Sequence, residues 1–119
     1  MKYLSRVVKG KGRGRGLGFP TFNLVIPAHF DLETGVYAAW VWIENKRYAG
    51  ALHFGPIPTF QEMENNLEIF VLDYHDWETV DELTFEPVDY LRPVRTFTTA
   101  DDLKEQIARD VRWVRETLS

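Results

Sequence analysis

The chain has no cysteine, which excludes a disulfide framework, a thiolate zinc site and a cysteine nucleophile. No apolar run approaches the ~20 residues of a membrane span, and the amino terminus lacks a signal-peptide core, so a soluble, cytoplasmic protein with no membrane partner is expected. No lysine followed by serine or threonine closes a glycine loop, which rules out a Walker A motif, and the glycine spacing does not match a dinucleotide fingerprint. His29 and His75 have no partner spacing for zinc, and no serine, histidine and acid arrangement suggests hydrolase chemistry. Repeats and dividing linkers are also missing. The 119 residues, 45% hydrophobic and 14% aromatic, therefore predict one domain over 1–119 with a single core.

What is present is a polarised charge distribution under a net charge of −4. Every charged side chain from Met1 to Phe30 is basic, whereas Glu62 to Asp89 holds acids only. The cations concentrate in Gly10-Lys11-Gly12-Arg13-Gly14-Arg15-Gly16-Leu17-Gly18, where alternating glycines permit close backbone approach and the cations supply a positive field. Such a loop suits a small polyanion, a polyphosphate above all, better than a nucleic-acid duplex, which calls for cations spread along a face with stacking aromatics. On composition alone it also reads as a flexible basic hairpin that binds any polyanion weakly. Thr21 and Asn23 follow, two residues apart; on a strand they share a face and offer the hard oxygen ligands that magnesium requires.

Six segments rich in β-branched and aromatic residues read as strands: Tyr3 to Val8, Phe19 to Leu24, Gly35 to Glu44, Arg47 to Phe54, Leu67 to Tyr74 and Glu82 to Leu91. Glu44-Asn45-Lys46 reads as a tight hairpin turn, and Pro87 marks a bulge or an edge position. From Thr98 the pattern changes. Thr98 or Thr99 can cap a helix, and Leu103, Ile107, Val111, Val114 and Leu118 recur at helical spacing. This helix reads as structural, and nothing in it reads as catalytic. The fold class is mainly β: a six-stranded antiparallel, Greek-key-like β-barrel with a carboxy-terminal α-helix.

The motif Gly18-Phe19-Pro20-Thr21-Phe22-Asn23 resembles the riboflavin kinase family signature, with Phe22 in place of the usual alanine. Further landmarks follow in order: Gly35-Val36-Tyr37-Ala38, Tyr48-Ala49-Gly50, Gly55-Pro56-Ile57-Pro58-Thr59-Phe60, Leu67-Glu68-Ile69-Phe70-Val71-Leu72-Asp73-Tyr74, Leu91-Arg92 and Phe97. The resemblance spans nearly the whole chain. It implies an ATP:riboflavin 5′-phosphotransferase that forms FMN, with Mg2+ as cofactor, ATP as donor and riboflavin as acceptor. It assigns magnesium to Thr21 and Asn23, and nucleotide phosphate to these two with Gly10, Lys11, Gly12, Arg13, Gly14, Arg15, Gly18 and Pro20. Glu68 becomes the catalytic base, and His53 and Arg92 fall on the flavin side. Small-molecule partners and a monomer are expected. Bifunctional relatives carry an adenylyltransferase domain before the kinase domain, so this chain is not expected to make FAD by itself.

Departures from the family pattern fall toward the flavin: His53 replaces asparagine, Phe70 replaces histidine, Trp77-Glu78-Thr79-Val80 replaces a Tyr-Gly pair, and Val94 stands where an acid is common. They leave open a kinase-like module that binds flavin or nucleotide without turnover, and behind it a basic-loop RNA-binding domain. Without the resemblance Glu68 reads as an outward strand residue, while with it apolar Phe70 and Leu72 on the same face would strip water from the carboxylate. Trp40, Trp42 and Trp77 could stack on a flavin or simply cover a sheet face. Arg92 could instead pair with the acidic stretch.

Overall fold

The computed structural model describes residues 1–9, 17–76 and 79–119. Six antiparallel strands, β1 (Tyr3–Val8), β2 (Phe22–Leu24), β3 (Gly35–Ile43), β4 (Lys46–Ile57), β5 (Glu62–Val71) and β6 (Glu82–Arg92), close into a barrel in the order β1-β2-β5-β4-β3-β6. The meander β3-β4-β5 is flanked by β6, which returns to lie beside β3, and this is a Greek key. Helix α1 (Ala100–Thr117) follows. Among the described residues no helix is long and apolar enough to cross a membrane.

Alternation along each strand divides inside from outside. Tyr37, Ala39, Val41 and Ile43 of β3, Leu52 and Phe54 of β4, and Leu67, Ile69 and Val71 of β5 point inward and fill the core together with Phe22, Leu83 and Phe85. The outward set on β3 and β4 contains Ala38, Ala49 and Ala51, small enough for α1 to lie against the wall through Val111, Val114 and Leu118. Thr99 caps α1, its hydroxyl accepting the Asp102 amide at 3.1 Å, and Glu105 pairs with Arg109 one turn on at 2.7 Å.

The strands differ from the expected segments in ways that local chemistry explains. Phe19–Thr21 is not strand, since Pro20 has no amide to give a ladder. β4 and β5 run on to an Ile57↔Glu62 pair around a 3-10 turn, Pro58–Phe60, so the polar run Glu62–Asn66 is strand although it lacks the apolar alternation that marks one. β5 stops at Val71, before Asp73 turns left-handed at φ 62°. Glu44 and Asn45 form the hairpin turn, with φ of 50° and 69°, and Lys46 already pairs with Ile43. Pro87 lies at a bulge: the register opposite Ala38 and Ala39 skips from Asp89 to Pro87 and leaves Val88 over. A closed barrel has no edge for it to occupy.

Candidate functional site

The candidate site lies on the outer wall of the barrel. Register brings its parts together: Asn23 pairs with Glu68, Glu68 with His53, His53 with Val36, and Val36 with Arg92, one row across five strands. Asn23, Glu68 and His53 all occupy outward positions between inward core residues. Thr21, two residues before Asn23, donates its hydroxyl to Glu68 Oε1 at 2.9 Å. Residues 47 apart in sequence thus meet because β2 is short and lies against β5.

A cleft of about 420 Å³ opens along this row. Thr21, Asn23, Glu68, His53 and Arg92 form its polar floor. Ile57, Phe60, Val94, Phe97, Leu103 and Ile107 supply apolar lining. Phe19 meets Phe70 edge to face at 5.4 Å, closing the end nearest the glycine turn. Gly18 takes φ 87° to bring the chain into that end, but neither Gly18 nor Pro20 lines the cleft. Gly10, Lys11, Gly12, Arg13, Gly14 and Arg15 lie outside the described residues, as does Trp77.

His53 is largely buried. Its Nε2 lies 3.1 Å from the Gly55 carbonyl, which can only accept, so Nε2 carries the proton. Burial holds its pKa below the ordinary histidine value, with the Arg92 charge pushing the same way and the Glu68 carboxylate opposing. The neutral imidazole is therefore the favoured form beside Glu68.

Among the described residues, the acid that Arg92 pairs with is not in the acidic stretch before it. Its Nε and Nη2 fork onto both oxygens of Asp110 on α1, at 3.1 and 2.7 Å, and Nη1 donates to the Pro93 carbonyl. The helix is thus more than a brace, since Leu103, Ile107 and Asp110 line the cleft. Lys9 also reaches it, a cation just ahead of the glycine loop. Sequence reasoning missed both Lys9 and Asp110. The available signal for Asp110 was its place in the apolar series Leu103, Ile107, Asp110, Val114, where a charge is out of pattern. Trp40 and Trp42 lie away from the cleft, under Arg47 at 3.9 Å and Lys2 at 4.1 Å, so they cover a sheet face.

Among the described residues no cluster of three His, Cys, Asp or Glu could hold a metal ion. Thr21 and Glu68 bring two oxygens within 2.9 Å of each other, with Asn23 opposite Glu68 in register, and hard oxygen donors of this kind fit magnesium.

The riboflavin kinase family model matches residues 1–118. The chain belongs to the riboflavin kinase family. It is 34% identical over 106 residues to the RNA-binding riboflavin kinase RibR of Bacillus subtilis (strain 168), covering 88% of this chain and 46% of that protein. The crystal structure of a macrolide-efflux protein from Streptococcus pneumoniae superposes with a TM-score of 0.83 at 28% identity, over 96% of this chain and 38% of the other. Riboflavin kinase from Trypanosoma brucei superposes with a TM-score of 0.62 at 19% identity, over 98% and 80%, and shows the shared fold. The chain spans less than half the length of the curated relatives it matches first.

Proposed function

We propose that the protein, as a single domain over 1–119, transfers the terminal phosphoryl group of Mg-ATP to the 5′-hydroxyl of riboflavin, giving FMN and ADP. The observation that carries this reading is the hydrogen bond from Thr21 to Glu68, with Asn23 in register beside them. Glu68 Oε1 is engaged by Thr21, which leaves Oε2 to accept the proton of the acceptor hydroxyl. As that proton moves to Glu68, the hydroxyl oxygen bonds to the terminal phosphorus and the bond to the bridging oxygen of ADP breaks. Thr21 and Asn23 would hold magnesium, which supplies charge neutralisation on the phosphate oxygens when bound. The apolar lining orients the ring system and excludes water from the polar floor.

Incubation with riboflavin, ATP and magnesium should yield FMN on chromatography. No FMN with any divalent cation would overturn the reading. One observation favours a binding-only module instead: Phe70, beside Glu68, is tied up in packing on Phe19 and offers no polar group. Flavin binding without turnover would support it. RNA binding belongs to the name of one relative, of which this chain spans 46%.

A further inference from the structure

Asp110 is the one charged residue buried outright among the described residues, at 3% exposure. It sits in the stripe of α1 that faces the barrel, between Ile107 and Val114, where an apolar residue would serve packing. Gln106, one turn earlier, donates to Oδ1 at 2.9 Å, and Arg92 binds both oxygens as a fork. Both side chains of the pair are withdrawn from water, at 13% and 4% exposure. An apolar pair of similar volume would avoid that desolvation cost, so packing does not account for the two charges.

The guanidinium is held on several sides. Besides the Asp110 fork it donates to the Pro93 carbonyl, and its carbon lies 5.9 Å from the centre of the Phe97 ring. These bonds use three of its N–H groups and leave two of the five for a ligand. Arg92 and Asp110 both line the cleft, together with its apolar lining. A planar donor fork fixed in direction beside apolar lining is suited to an acceptor that carries ring carbonyls, as riboflavin does.

We propose that Asp110 is a positioning residue for the acceptor half of the cleft: it fixes the Arg92 fork so that the two remaining N–H groups are presented to the carbonyl edge of riboflavin. The helix thereby sets acceptor affinity, while the Thr21 end sets nucleotide affinity. The proposal rests on riboflavin being the acceptor.

The test measures riboflavin affinity by quenching of its fluorescence, and KM and kcat by FMN formation. Asp110→Asn should raise the KM and Kd for riboflavin ~10-fold or more, with the KM for Mg-ATP within about two-fold of the parent. Asp110→Glu, which keeps the carboxylate, should recover most of the loss. The double variant Arg92→Met with Asp110→Leu removes both charges together, so it should fold and still bind riboflavin weakly. Asp73→Asn cuts the exposed tie between Asp73 and Arg115 on the same helix, and should leave the riboflavin KM within about two-fold. An unchanged riboflavin KM in Asp110→Asn overturns the proposal. So does an equal loss in Asp73→Asn, or parental riboflavin affinity in the apolar double variant. A parent that binds no riboflavin and makes no FMN overturns the functional reading, and this proposal with it.

Discussion

Thr21, Asn23 and Glu68 derive their chemistry from what lies beside them. Glu68 as the proton acceptor gives a direct expectation: Glu68→Gln keeps the shape and the Thr21 contact but cannot take a proton. Its kcat should fall by ~10²-fold or more while Mg-ATP affinity stays near parental. Stopped assays for FMN together with calorimetry for the nucleotide check this, and equal turnover would refute the role. His53 gives a second expectation, through pH. Its folded pKa lies below the unfolded value of 6.5, chiefly through burial. Above that value both states are neutral and its stability contribution is complete. As pH falls below it the unfolded chain gains a proton first, and stability is lost until the lower folded value is reached. The loss has a ceiling of ~1.4 kcal/mol per pH unit. Urea unfolding across pH 7.5 to 5 (about that range) should show this slope, and His53→Asn should flatten it. The polar floor was legible from sequence because Thr21 and Asn23 stand in one motif. Asp110 was not, since an aspartate between an arginine and a valine looks solvated until the stripe it occupies is seen to face the wall.

At the scale of elements, β3 and β6 meet closely at Gly35. This residue takes φ +150°, and a Cβ there would lie 2.5 Å from Tyr90 Cε1 and 2.6 Å from the Arg92 carbonyl oxygen. The backbone of β6 would have to move. Gly35→Ala should therefore cost about 2 kcal/mol or more in urea unfolding, and should shift Arg92 enough to weaken the acceptor site as well. Strands were readable where one face is buried, as in β5 beyond Leu67. They were not readable at Glu62–Asn66, where the extended hairpin is held by backbone pairing and carries no apolar alternation. The helix cap was narrowed to two threonines by sequence, and only the fold of the chain before it selected Thr99.

For the molecule as a whole, closure is what separates stability from chemistry. β1 must find β6, Tyr3 against Phe85, to seal a core that shares no side chain with the polar floor. The two sets interleave along a single strand, Leu67, Ile69 and Val71 facing in and Glu68 and Phe70 facing out. The gene for β5 therefore encodes two messages in alternate codons, read by different selections. A saturation library of Leu67–Val71, sorted once for cellular abundance and once for flavin turnover, should give two tolerance profiles one residue out of phase, with abundance failing at Leu67, Ile69 and Val71 and turnover at Glu68 and Phe70. Lineages of this fold would then be free to rewrite the outward codons, at Phe70 on β5 or at His53, which stands opposite Glu68 on β4, without renegotiating the inward ones.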